Sequence, residues 1–351
     1  MMYIILIIII LLIVIIYCYK HKEYFITNNQ PNSIDSLDYQ IINNLDEAFE
    51  ILTNENYLLS FNKSDLYARD IIPPNQDTYK KIIKHKIKEI SSSEDKAFRW
   101  MINSFKELYP AIVKSSKSSI WNQYLCDFKI IKGDQIDERM PHTHLKTIIF
   151  DVEYFKELVN NHRKNEINLM LMEQSETLIH EMGHLLERNN PTINNFFQDV
   201  YLELGFLPIA SEQFINIVPD KFRFRIRSNP DELPNLQYYW WKKNPDDLEF
   251  YLPLALYTSD KPKYLTDTEM SLLIFKEDNG KYIYQKKIKI EDSEYYNFLG
   301  ITNNNYHPKE IVPEYLAMWY LSIVEGGSLG LDMSSKGFKI FEKMVQKTFP
   351  I

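Results

Sequence analysis

Two cysteines, Cys18 and Cys126, are all that this 351-residue chain carries. That is too few for a disulfide framework, and Cys18 sits in a greasy run where pairing with Cys126 is implausible, so nothing asks for an oxidising compartment. Glycine is scarce at 9 and proline modest at 16, which leaves few places for a flexible linker between domains. Positive charge is not in excess: 40 Lys and Arg stand against 48 Asp and Glu, for a net −8. A polyphosphate partner leaves a basic footprint, so nucleic acid is excluded as a ligand. There is no internal repeat and, beyond the N-terminus, no apolar run long enough to cross a bilayer. What is present is 45% hydrophobic, 14% aromatic and 25% charged residues, the profile of a globular protein with a large core.

From Met1 to Tyr19 no side chain is charged, and Ile4 to Ile16 is an unbroken run of Ile, Leu and Val. As a helix, this stretch reaches about 28 Å, close to the hydrocarbon thickness of a bilayer. It is expected to be an uncleaved membrane anchor over residues 1–19, since no basic segment precedes it and Tyr17-Cys18-Tyr19 offers no small-residue cleavage site. Lys20 and Lys22 follow the run, a bias that puts the body on the cytoplasmic side. The one sequon, Asn62-Lys63-Ser64, is too common a pattern to argue for a lumenal body.

The body reads as α+β. Residues 23–118 are expected to be a helical N-terminal region, with an amphipathic helix from about Ile34 to Leu52, a second near Gln76 to Ile90 and a third starting at about Ser93. From Ser119 the pattern turns to β-formers, through Ile120, Trp121, Tyr124 and Phe128 to Ile131, and His144 to Phe150 reads as a strand. A long helix is expected after Glu166, ending before Pro191. Residues from about 205 to 300 form an aromatic β-rich insertion, with Asp278-Asn279-Gly280 as a hairpin turn. Two further helices lie near Glu310 to Val324 and Lys336 to Phe349. Residues 119–351 therefore hold the chemistry.

That chemistry centres on His180-Glu181-Met182-Gly183-His184. Histidines at i and i+4 share one helical face, so both imidazoles can reach a single Zn²⁺ at about 2.0–2.1 Å. Glu181 projects beside them, where it can deprotonate a water at the metal as general base. Five residues recur by chance, so context decides. Leu178, Ile179, Met182, Leu185 and Leu186 supply the apolar face that a buried metal helix needs. Gly183 costs about 1 kcal/mol of helix stability against Ala, which points to close packing or binding there. No histidine follows at the metzincin spacing, where Asn190 stands, so the third ligand comes from farther along. Glu310-Ile311-Val312-Pro313-Glu314 places two carboxylates one helical turn apart: the first can bind zinc while the second accepts the outer N–H of a ligating histidine.

HEMGH followed by a helix carrying two acids four residues apart resembles the gluzincin metallopeptidases, and Glu310 to Ala317 is most similar to the third-ligand helix of the anthrax lethal factor and Pro-Pro endopeptidase group. The resemblance covers well under a third of the chain. It implies a zincin-like body of a small sheet, an active-site helix and C-terminal helices. It also implies one zinc per chain, with His180, His184 and Glu310 as ligands, Glu181 as general base and Glu314 as an acid behind a ligating histidine. Three departures matter. Pro313 stands where a small residue is usual, and a proline beyond the first turn costs about 3 kcal/mol, so the helix is expected to start at or after Glu310; a start at Pro313 would make Glu314 the ligand. The gap between the motifs is longer than in the resembling enzymes. Where those carry a transition-state tyrosine, this chain has Asn303, leaving Tyr306 or His307 to meet the oxyanion.

Two further groups stand out. His142 and His144 alternate along a strand, with a surface or capping role as the first reading and metal binding as the second, and the strand is placed to be a substrate-pairing sheet edge. Tyr238-Tyr239-Trp240-Trp241 reads as core first and as a peptide subsite second. The expected function is a membrane-anchored zinc endopeptidase acting on a peptide or protein. The alternative is a non-catalytic, membrane-tethered scaffold of the same fold that binds a protein partner.

Overall fold

The computed structural model describes residues 37–54, 61–167, 170–232, 237–244, 246–301, 304–324 and 333–351. The expected anchor over residues 1–19 lies outside them, and among the described residues no helix is long and apolar enough to cross a membrane.

The protein is α+β, built on two sheets. The first contains β1 (Tyr39–Ile41), β2 (Ile87–Lys88), β3 (Phe128–Gly133), β4 (His142–His144) and β5 (Thr147–Asp151). β3 lies parallel to β1 and β5, β2 runs antiparallel to β3, and β4 is an antiparallel edge on β5. Strands from both sides of residue 118 therefore share one sheet. Because side chains alternate across a strand, this sheet feeds two cores. Ile131 and Ile149, register partners, face α1 (Leu45–Leu52), α2 (Lys63–Ala68) and α3 (Gln76–Lys86). Ile130, Ile148 and Phe150 face α4 (Ser92–Ser116), α5 (Val152–Lys164) and α6 (Ser175–Asn189).

Several sequence expectations are corrected here. Residues 34–52 are not one helix: Tyr39 to Ile41 pair with β3, and α1 starts at Leu45 because the Asn44 side chain accepts from the Asp46 and Glu47 amides, the capping geometry that begins a helix. Ser119–Tyr124 forms a 3₁₀ turn instead of a strand, burying Ile120, Trp121 and Tyr124. The long helix begins only at Ser175, after a wide π turn over Met170–Gln174. The sequon asparagine Asn62 is the N-cap of α2, in a capping box with Asp65.

After α6 come α7 (Pro191–Glu203), β6 (Phe206–Ile209), α8 (Ser211–Ile217), α9 (Asp220–Arg223), β7 (Tyr238–Trp241), β8 (Glu249–Tyr257), β9 (Thr268–Asp278) and β10 (Lys281–Lys289). The strands form the second sheet, in the order β10-β9-β8-β7-β6 and antiparallel throughout. Asn279 and Gly280 turn the β9–β10 hairpin with φ of 52° and 75°, the left-handed pair of a type I′ turn. The aromatic block on β7 is core: Tyr239 and Trp241 join the main cluster, and Trp240 packs with Phe250 and Phe275 on the other face. α10 (Glu294–Leu299), α11 (Pro308–Val324) and α12 (Lys336–Thr348) close the chain.

Candidate metal centre

α6 and α11 meet at their small residues. A Cβ on Gly183 would come within 3.0 Å of the Pro313 Cβ and 3.3 Å of its Cα, closer than two carbons pack without one moving. The glycine and the proline thus account for each other. Pro313 lies inside α11, not at its start, and forgoes one backbone hydrogen bond. Burial of Ile311, Val312 and Tyr315 to Leu321 in the core holds the helix together regardless, since tertiary packing supplies most helix stability. Gly183→Ala would gain about 1 kcal/mol of helix propensity but force apart a contact where overpacking costs about 1–3 kcal/mol. Thermal unfolding should show a net loss of stability, and chelator competition should show weaker zinc binding as α11 is displaced.

This close approach brings together His180 and His184 from α6 with Glu310 from α11, all buried. The Nε2 atoms of the two histidines are 3.2 Å apart, and Glu310 Oε2 lies 3.3 Å from His180 Nε2 and 3.5 Å from His184 Nε2. In a tetrahedral site with bonds of about 2.0–2.1 Å, neighbouring ligand atoms stand about 3.3–3.4 Å apart. The triangle has the right size and the right donors for one divalent cation. Glu314 Oε2 lies 3.2 Å from His180 Nδ1. That proton fixes the tautomer presenting Nε2 to the centre, the usual task of a carboxylate behind a ligating histidine.

Around these three residues are groups that no spacing in the sequence announced. Asn229 Nδ2 donates to Glu310 Oε1. Asp231 accepts from the Thr143 amide at 2.6 Å and the Thr143 hydroxyl at 2.7 Å, and its own carbonyl receives Arg188 at 2.6 Å. Ser228-Asn229-Pro230-Asp231 lies within the stretch expected as the aromatic β-rich insertion, so its arrival here is a matter of tertiary path. Asp231 also belongs to a second convergent group with Glu181 and His184.

Electrostatics follow from crowding. Burial and the nearby Asp231 push the Glu181 carboxyl up to about 8. Burial disfavours a charged His184, but Asp231 and Glu310 outweigh it and raise the ring to about 9. Burial also opposes ionising Glu310, yet the two histidines hold it well below the carboxylate range. Without metal the cluster keeps protons that a cation must displace. His184 moves up from 6.5 to about 9, so the folded state alone holds that proton in this window. Its stabilisation is full below pH 6.5 and gone above 9. Glu181, raised from 4.5 to about 8, adds the same sign through an ionisation penalty that grows with pH. The melting temperature of chelated protein should therefore fall from pH 6 to 9.5, and saturating zinc should remove the fall; a flat metal-free profile would contradict the assignment.

Glu181 and Tyr306 line a cleft of about 290 Å³ beside His180, Glu310 and Glu314. Arg227 lines it too, with its guanidinium 5.8 Å from the Tyr306 ring centre. The larger cavity, about 510 Å³ near Arg69 and Asp137, contains none of these groups. No family profile, curated protein or solved structure matches the chain.

Three sequence expectations change at the site. His307 does not serve the cleft: its Nε2 is 2.6 Å from the Gln237 carbonyl, its Nδ1 accepts the Lys309 amide at 3.4 Å, and its carbonyl receives the Glu310 amide. Burial pushes the ring down to about 4, so it is a neutral cap of α11. His142 and His144 share a sheet face with their register partners Ile149 and Thr147, the face turned away from α6, where His142 Nε2 is 3.8 Å from Asp137. The outward amide of Thr143 is taken by Asp231, so β4 offers no free pairing edge there. The Asn303 position lies outside the described residues.

Proposed function

We propose that this chain is a zinc-dependent endopeptidase of the gluzincin type. The observation that carries the reading is the Nε2–Nε2–Oε2 triangle of His180, His184 and Glu310, with Glu181 buried beside it and its Oε2 accepting no hydrogen bond from the protein. Zinc held there would polarise a scissile carbonyl and lower the pKa of a water. Glu181 would take the proton of the attacking water as general base and pass it on to the leaving amine. Tyr306 and Arg227, on the cleft wall, are the chain's own groups for meeting negative charge on the carbonyl oxygen. Substrate backbone would enter past Met140 and Pro141, which line the cleft just before β4.

Pro313 was the main departure favouring a scaffold, and its contact with Gly183 gives it a packing role compatible with catalysis. If the Met1–Tyr19 run anchors the chain, catalysis takes place at a membrane surface, with the body on the cytoplasmic side. The test is elemental analysis of the purified full-length chain followed by a peptide-library cleavage screen. One zinc per chain and chelator-sensitive cleavage are expected; a folded protein that takes up no zinc at micromolar free metal would overturn the reading.

A further inference from the structure

Asn229 reaches Glu310 from a segment without regular structure, so something must fix where its amide points. Its Oδ1 accepts the Asp231 amide at 3.1 Å, which leaves Nδ2 to donate to Glu310 Oε1. With Oε1 engaged, Oε2 is the oxygen turned to the two histidines. The residue before Asn229 is held far more firmly. Ser228 donates its amide to Asp65 Oδ1 at 3.1 Å and its hydroxyl to Asp65 Oδ2 at 2.6 Å, from 163 residues away in sequence.

Asp65 sits on α2, fully buried. Its carboxylate also accepts the Tyr257 hydroxyl at 3.0 Å and the Asn62 amide at 3.0 Å. Among the described residues no lysine or arginine forms an ion pair with it, and Arg69 donates to the Asp65 backbone carbonyl instead. A buried carboxylate satisfied by four neutral donors, with Arg69 near but not paired to it, is a costly arrangement. Capping a six-residue helix needs only the Asn62 side of it. The other donors tie α2 to Tyr257 at the end of β8 and to the metal-site loop.

We propose that Asp65 is a positioning residue for the third metal ligand: it holds Ser228, Ser228 sets Asn229, and Asn229 turns Glu310 Oε2 toward His180 and His184. The proposal rests on the metal-centre reading and makes the N-terminal helical region part of that centre. Asp65→Asn keeps the size but replaces one of the two acceptor oxygens with an NH₂, so one of the two Ser228 donors loses its acceptor and the hold on the loop loosens.

The full-length chain is titrated with zinc against a competing chelator and, separately, loaded with cobalt(II) for its visible spectrum. Asp65→Asn should weaken zinc about 10–100-fold, the range for disturbing the groups behind a ligand, and alter the cobalt bands. Ser228→Ala, which keeps the backbone donor, should fall between it and wild type. Combining Asp65→Asn with Asn229→Ala should cost no more than Asn229→Ala alone, since both act along one chain of contacts. A folded Asp65→Asn protein with wild-type zinc affinity and cobalt spectrum overturns the proposal, as does strict additivity with Asn229→Ala. If Asp65→Asn does not fold, the Ser228→Ala and Asn229→Ala cycle is read by the same criteria. A wild-type chain that binds neither metal removes the metal centre itself, and the proposal with it.

Discussion

Glu181→Gln is expected to keep zinc bound and to lower peptide hydrolysis by about 10²–10⁴-fold, the share general acid–base catalysis contributes. The substitution preserves shape and replaces the basic carboxylate with a neutral amide that cannot take up a proton. Glu181 is not part of the His180–His184–Glu310 triangle, so zinc stoichiometry should be unchanged. The stability effect runs opposite to the activity effect. Burial and Asp231 raise the Glu181 carboxyl from 4.5 to about 8, so its cost to the folded state accumulates from pH 4.5 to about 8 and is constant above. A neutral glutamine escapes this, and the metal-free variant should melt above wild type at pH 7 and by a larger margin at pH 9. Steady-state cleavage, zinc analysis and melting curves on one preparation separate the two functional readings. A catalytic dead end that is folded and zinc-loaded fits the enzyme. Unchanged cleavage would remove Glu181 from the mechanism, and unchanged function in the host would favour the scaffold.

The two helices of the candidate centre were legible in the sequence because each carries its signal locally. Two histidines and a glutamate at helical spacing need no tertiary information, and neither do Glu310 and Glu314 one turn apart. Gly183 and Pro313 were each visible as anomalies, but only the crossing of α6 and α11 shows that they answer one another. What failed was reading helical period across short elements. Leu37, Ile41 and Ile42 match a helix on paper, yet Asn44 caps a separate one and the residues before it find a strand to pair with. His142 and His144 were rightly taken as sharing a face of a strand, but which face meets α6 is decided by sheet register. Asn229, Asp231 and Asp65 had no signal at all. Buried polar groups joined across 81 to 163 residues leave no periodic trace in one sequence.

Glu310→Gln is expected to weaken zinc by more than the 10–100-fold, in round terms about two decades at most, that loss of an outer partner brings, whereas Glu314→Gln should stay within that range. Glu310 presents Oε2 to the Nε2 atoms of both histidines at 3.3 and 3.5 Å, so removing its charge would strip the proposed ligand set of its anionic member. Glu314 faces the far nitrogen of His180 at 3.2 Å, so its loss frees a ring without subtracting a ligand. The metal-free proteins should differ as well. In wild type the protonated rings and Glu310 form a buried ion cluster, and taking one partner from such a cluster costs about 3–5 kcal/mol. Glu310→Gln should therefore melt well below wild type at pH 7. The gap should narrow as pH rises through about 9, where His184 sheds its proton in wild type too. If Glu314→Gln were the variant that lost zinc altogether, α11 would have to present its second carboxylate to the metal, and the ligand set would be His180, His184 and Glu314.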